Sequence, residues 1–364
     1  MGGYQELVAL DMLTANDKTA AVELVGEPLK ERYPSGDAVF ARNIWSLQSF
    51  GGKLYIGNGN SNNKGPAPNA GPVDVWYYEP VSNRFVKEYT APDQQIDIFR
   101  VLGGQLVIPG HDPTESWLQG NFYRLATTGW EKVRTLTGGI HNYDMIAFDN
   151  QIFAALGTVL GGVIARSGDD GQTWKEFFAL GSFRARSLFT LNGALCLSTS
   201  GNKFYEYTGD GFRSMPGAFF PGATHLDDLF MVRHVTFQGR LVYLGAYPPI
   251  DHNWIPVGMF AANAAGATQA LEADGMLVRD LRVNGDTLFA LGSQASSNQV
   301  LIRVLSTTDL VAWQEVVSFA APTFARSFEI LNGDFYFGFG CEADDLSAAT
   351  GQILRWHRGA VQGM

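Results

Sequence analysis

A two-residue turn that recurs seven times constrains this chain more than any other feature. An apolar residue, a pair ending in Gly or Asn, and an apolar run repeat at Phe50-Gly-Gly-Lys-Leu, Leu102-Gly-Gly-Gln-Leu, Phe148-Asp-Asn-Gln-Ile, Leu191-Asn-Gly-Ala-Leu, Phe237-Gln-Gly-Arg-Leu, Val283-Asn-Gly-Asp-Thr and Leu331-Asn-Gly-Asp-Phe. The turn residues Gly52, Gly104, Asn150, Gly193, Gly239, Gly285 and Gly333 are spaced 52, 46, 43, 46, 46 and 48 residues apart. Such pairs supply the positive φ of a tight hairpin, and the period-2 apolar flanks mark strands A and B of each unit. A second hairpin follows, as in Val75-Trp-Tyr-Tyr-Glu-Pro-Val-Ser-Asn-Arg-Phe-Val and Phe204-Tyr-Glu-Tyr-Thr-Gly-Asp-Gly-Phe-Arg, and gives strands C and D. Seven units of four antiparallel strands, with almost no helical periodicity, predict an all-β fold: a seven-bladed β-propeller.

A ring must close. The last unit reaches its third strand at Ile353–Trp356 and then has only a short tail. The segment Ala20–Pro28, ahead of the first repeat, resembles the outer strand that follows Trp313, and is expected to supply the missing strand and cover the open edge. Residues 1–364 are then a single domain, with 1–41 as the closing segment and 42–364 as the seven repeats.

Composition narrows the partners. No apolar run approaches the roughly 18 residues of a membrane span, and a net charge of −10 without a basic stripe argues against nucleic acid. The N-terminal Met1-Gly-Gly-Tyr-Gln-Glu-Leu-Val has neither the basic nor the apolar region of a secretion signal. Cys196 and Cys341 fall in different repeats and read as buried thiols rather than a disulfide. Neither a phosphate-binding loop, a dinucleotide fingerprint, a serine elbow nor a Cys-x-x-Cys pair occurs, so no cofactor is expected.

Between strands C and D of what is expected to be the fourth blade lies Arg166-Ser-Gly-Asp-Asp-Gly-Gln-Thr-Trp174. Its Ser167-x-Asp169-x-Gly171-x-x-Trp174 spacing resembles the Asp-box of sialidase-like (BNR-repeat) propellers. A degenerate copy, Ser306-Thr-Thr-Asp-Leu-Val-Ala-Trp313, occupies the same position in the sixth blade, with the aspartate at Asp309 and the glycine lost. The resemblance implies structural turns in which hydroxyl and carboxylate cap backbone amides while the tryptophan packs between sheets. Ser167, Asp169, Gly171, Trp174, Ser306 and Trp313 are therefore expected to be staples, not catalysts.

In such a blade the A–B and C–D turns share one face, and the longer B–C loops share the other, where ligand sites tend to gather. Those loops carry His111, Asp112 and Trp117 in one repeat and Asp251, His252 and Trp254 in another, with His141 and His225 nearby. His111, Trp117, His252 and Trp254 are expected to form one recognition surface, with the tryptophans as stacking platforms or as anchors of their own loops. Imidazoles and carboxylates in this set are also candidate metal ligands, although no tight ligand spacing such as His-Glu-x-x-His accompanies them. The inner strands add Asp97, Arg100, Tyr143, Asp144, Arg186, Arg233, His234, Arg279, Asp280 and Arg326 around the central channel. Sialidase-like propellers hold a carboxylate sugar with three arginines, but the chain lacks their Arg-Ile-Pro signature, reads as seven blades and not six, and offers no tyrosine–glutamate nucleophile pair. Two functions remain: a non-catalytic binding or structural module that presents its loop-rich face to a protein or glycan, such as a virion or extracellular component; or a glycan-active enzyme, hydrolase or lyase, using channel arginines with Asp97 or Asp144 for proton transfer.

Overall fold

The computed structural model describes residues 22–62, 68–223, 228–248, 254–295 and 299–358. Seven antiparallel sheets, six of four strands and one of four extended by two short segments, form the blades of a β-propeller. Their inner strands, in chain order, are Ser46–Phe50, Arg100–Leu102, His141–Phe148, Ala185–Leu191, Phe230–Phe237, Leu277–Asn284 and Ala325–Leu331. A single 3-10 turn, Gly36–Arg42, is the helical element among the described residues.

Six of the seven turns have positive φ at both central residues, for example Asn192 at 52° and Gly193 at 76°. That is the type I′ geometry whose twist matches the flanking strands. The sixth differs: Asn284 pairs with Thr287, so the turn is Gly285-Asp286, one residue later than the sequence suggests. There only Gly285 takes a positive φ, 62°, as a type II′ turn with glycine in first position requires.

The ring closes as expected. Val22–Gly26 pairs antiparallel with Ile353–Trp356, Glu23 opposite Arg355 and Leu24 opposite Leu354, to become the outer strand of the seventh blade. Apolar faces of neighbouring blades form the core between them: Phe204 stacks on Phe219 at 3.7 Å, and Phe289, Phe328, Phe335, Phe337 and Trp356 fill the interval between blades six and seven. Cys196 and Cys341 are buried free thiols.

The third sheet departs from the regular pattern by having six strands. Two short segments, Asp93–Gln95 and His111–Pro113, pair with each other, and His111 then pairs with His141 at the start of the third inner strand. The long loop of the second blade is thus stitched to its neighbour.

The turn at Ser167 lies in the third blade, not the fourth, because its strand Gly161–Ser167 pairs with Gln151–Thr158. Ser167 Oγ donates to Asp169 Oδ1 (2.8 Å) and accepts the Gly171 N–H (2.8 Å), while Asp169 Oδ1 accepts the Thr173 N–H (2.9 Å). Gly171 sits at φ 80° against the Phe122 ring, and Trp174 donates through Nε1 to the Gly171 carbonyl (3.0 Å) while meeting Phe122 edge-on. In the sixth blade the capping hydroxyl belongs to Thr307 rather than Ser306: its Oγ1 accepts the Asp309 N–H (3.2 Å) and the Leu310 N–H (2.9 Å). The Ser306 hydroxyl instead donates to the Gln314 carbonyl, at 3.5 Å. Aligning the turns on the hydroxyl two residues before the aspartate leaves Asp309 in place and shortens the run to Trp313 by one residue.

Candidate functional site

The inner strands carry the functional side chains by a shared device. In blades three, four, six and seven the register slips by one residue, leaving Tyr143, Arg186, Arg279 and Arg326 unmatched; blade five slips at Arg233 and His234. A β-bulge re-aims the extra side chain. Four consecutive blades thus present an arginine at one level, spaced 47, 46 and 47 residues apart in sequence.

Three of these arginines are engaged by the protein. Arg326 is fully buried, donates through Nε to Asn43 Oδ1 (2.8 Å) and through an Nη to the Cys341 carbonyl (2.8 Å), and lies over the Trp45 ring. A Cβ on Gly340 would run into both Asn43 and Arg326, so this seat requires glycine. Arg279 bonds Ser293 Oγ (3.2 Å), reaches Glu342 (3.3 Å) and lies on Phe324. Arg233 donates to the Trp45 carbonyl, and its Nε stands 3.8 Å from Asp280. Burial lowers the pKa of Arg279, to about 10, against the opposing pull of Glu342.

Arg186 is different. Its guanidinium carbon lies 4.3 Å from the Tyr143 ring centre and 4.5 Å from that of Phe230. Its Nε is buried without a hydrogen-bond partner, and no ion pair or hydrogen bond engages it among the described residues. Arg186 lines a cavity of about 200 Å³ with Asp97, Arg100, His111, His141, Tyr143, Asp144, Arg233, His234 and Trp254.

Asp144, by contrast, is spent on structure. It is 1 % exposed, pairs with Arg100 at 2.7 and 3.1 Å, and accepts the N–H groups of Met145 and Leu188, each at 2.8 Å. Burial would raise its pKa, but the Arg100 charge and the bonds from His234 and Arg100 outweigh burial and bring it down to about 2. Asp280 plays the same part three blades on, accepting from Leu281, Arg282 and Phe328. Arg282 spans Asp280, Glu329 and the Leu47 carbonyl.

On the loop-rich face the sequence-predicted residues divide. His111, Asp112 and His141 come together, with one ligating atom of each within 4.8 Å of the others. Desolvation pulls the pKa of His111 down to about 4 and that of His141 to about 3, helped by His141 in the first case and by Arg184 and Arg186 in the second. Trp254 joins the cavity but is only 8 % exposed, packed with Phe230 and Ala246. Trp117 does not line the cavity: it is 47 % exposed and donates to the Pro113 carbonyl (3.0 Å) of its own loop. The packing thus separates the two tryptophans, with Trp254 in the cavity wall and Trp117 bonded to its own loop. Asp251, His252 and His225 lie outside the described residues. Sequence reasoning missed Phe230, Ser61 and Gln95 in the cavity wall and Arg282 in the channel.

No family model matches the chain, and no curated protein does. Among solved structures it is similar to the Niastella koreensis GH74 enzyme, at 13 % identity and TM-score 0.58 over 85 % of this chain and 53 % of that one. It is also similar to YCF48 from Cyanidioschyzon merolae, at 11 % identity and TM-score 0.52 over 94 % of this chain and 100 % of that one. A chain of the mitotic checkpoint complex matches at 10 % identity and TM-score 0.56, over 96 % of this chain and 97 % of that one. No helix among the described residues is long and apolar enough to cross a membrane. Likeness at these identities shows the fold alone, and that fold is a seven-bladed β-propeller.

Proposed function

We propose that this protein is a non-catalytic binding propeller whose loop-rich face takes a carboxylate-bearing segment of a protein partner into the central cavity. The observation that carries the reading is Arg186. A guanidinium that lies over two rings, has an unpartnered Nε and lines a cavity is suited to meet a planar anion. The cavity, about 200 Å³, has room for a side chain or chain terminus. Exposed Leu118, beside Trp117, extends apolar surface beyond it. Similar propellers occur in the mitotic checkpoint complex and as YCF48 bound to D1 peptide. The Ser167–Trp174 turn supports kinship with Asp-box propellers, and membership of a larger assembly such as a virion rests on composition alone.

The glycan-active alternative draws on the likeness to a GH74 enzyme. Hydrolysis by paired carboxylates needs two acids facing the substrate. Among the described residues the carboxylates of the cavity wall are Asp97 and Asp144, and Asp144 is committed to Arg100 and two backbone amides. That supports binding over turnover.

The test is an array of peptides in Glu/Gln and free-acid/amide pairs, with acidic oligosaccharides alongside. Carboxylate-dependent peptide binding that Arg186→Gln weakens by about tenfold or more, at unchanged melting temperature, is expected. Binding indifferent to the carboxylate or to Arg186, or release of sugar products, would overturn the proposal.

A further inference from the structure

We infer that His111, Asp112 and His141 form a divalent transition-metal site at the rim of the central cavity, of the two-histidine, one-carboxylate kind that suits Zn²⁺. The backbone puts the three together. His111 is the cross-strand partner of His141, so their side chains leave neighbouring strands side by side, with ring centres 5.0 Å apart. In a regular strand Asp112 would point to the opposite face from His111. Instead it takes a left-handed φ of 58°, with its N–H bonded to the Ile140 carbonyl (3.0 Å), and its carboxylate turns back onto His141.

Asp112 Oδ1 stands 3.0 Å from His141 Nδ1, yet His141 Nδ1 makes no hydrogen bond, and Asp112 Oδ2 is buried without a partner. Asp112 is 2 % exposed. A carboxylate so placed needs a cation or a full set of donors; the Arg184 charge is near enough to act on it, but among the described residues no lysine or arginine forms an ion pair with it. Two ligand atoms 3.0 Å apart are close to the roughly 3.4 Å edge of a tetrahedron with metal–nitrogen bonds near 2.1 Å. All three ligand atoms lie within 4.8 Å of one another, and a swing of His111 by at most about 1.4 Å closes the set to that size. His111 has a polar neighbour that would orient it: its Nε2 lies 3.3 Å from Ser61 Oγ, which bonds Gln95 Oε1 at 3.1 Å. His141 stacks on Tyr143, with ring centres 5.1 Å apart. Because both histidines line the cavity, the fourth coordination position opens into it and can take water or a ligand oxygen. The metal site stands whether or not the carboxylate reading of Arg186 is right, since it is tested by the metal alone.

The experiment uses the untagged protein, stripped with a chelator and titrated with Zn²⁺ by calorimetry and with Co²⁺ in the visible. The expected result is one equivalent bound in the micromolar range or tighter, with the intense bands of four-coordinate Co²⁺ and a Zn²⁺-dependent rise in melting temperature. His111→Ala and Asp112→Asn should each weaken binding by about tenfold or more. Variants are compared only where their metal-free melting and near-ultraviolet dichroism match wild type. Should both fail to fold, the wild-type Co²⁺ spectrum decides, because nitrogen-ligated four-coordinate bands are expected and octahedral aquo bands would overturn the site. No stoichiometric binding to the wild type, or binding that persists unchanged in a folded His111→Ala, would also overturn it.

Discussion

The carboxylate of Asp144 accepts the backbone N–H of Leu188 at 2.8 Å, across the boundary between the third and fourth blades. Asp280 does the same for Phe328 between the sixth and seventh, at 3.1 Å. One buried acid thus holds its own strand, a channel arginine and the next blade. Removing Asp144 would orphan the Leu188 amide and leave Arg100 unpaired in the channel. Asp144→Ala should cost about 3 kcal/mol, read as a shift in denaturation midpoint, and Asp144→Asn less. A change within error for Asp144→Ala would show that the blades are joined by apolar packing alone.

The same carboxylate sets a pH dependence. Its folded pKa, brought down to about 2, lies below the unfolded value of about 3.9. The stabilisation is therefore complete above the unfolded value and lost as pH falls through the folded one. Denaturation of wild type and Asp144→Asn should differ by a constant amount from neutral pH to about pH 5, and the difference should shrink as pH falls further. A difference that grows on acidification would contradict the assignment.

Ser167→Ala removes a buried hydroxyl that accepts from Gly171 and donates to Asp169. The expected loss is about 1 kcal/mol, with partner binding intact because the turn shares a depression with Gly103 and Asn150 from the A–B turns, on the face opposite the cavity. Binding lost at unchanged stability would make this turn a functional site.

The two loop tryptophans should separate. Trp254→Ala empties a packed position beside Phe230 and should cost about 3 kcal/mol, visible as a lower melting temperature. Trp117→Ala, at an exposed ring, should leave melting nearly unchanged and weaken partner binding. The reverse pattern would exchange their roles.

Deleting the segment that supplies Val22–Gly26 uncovers the whole edge of Ile353–Trp356. Free strand edges pair with other chains, so the truncated protein should aggregate at concentrations where the intact chain stays monodisperse by light scattering. A monodisperse, equally stable truncation would show that the seventh blade does without its outer strand.

The blades and their closure were legible because each depends on local chemistry: Asn-Gly and Gly-Gly pairs force positive φ, and alternating apolar residues force strands. The sixth turn was misplaced by one residue, since Asn284 and Gly285 read as well as Gly285 and Asp286 until the pairing with Thr287 is known. The bulges were hidden for the same reason. Arg186, Arg233, Arg279 and Arg326 stand out as regularly spaced arginines, but which residue slips out of register depends on the partner strand. Nor could the sequence show that Trp254 folds inward while Trp117 stays out, or that the strand at His111 crosses to the third blade, because both follow from how neighbouring blades meet.

Among the described strands, the one that completes the seventh blade comes first in the chain and pairs with the last. Glu23 and Arg355 face each other in the finished sheet, yet nearly the whole chain must be synthesised before either finds its partner. Six blades can form from local hairpins as they emerge, whereas ring closure joins the most distant strands among the described residues and is expected late. The assembly is therefore most vulnerable in the interval before closure, when an unpaired N-terminal strand and an open seventh blade are both exposed to other chains. Refolding at low protein concentration should be efficient where refolding at high concentration is not.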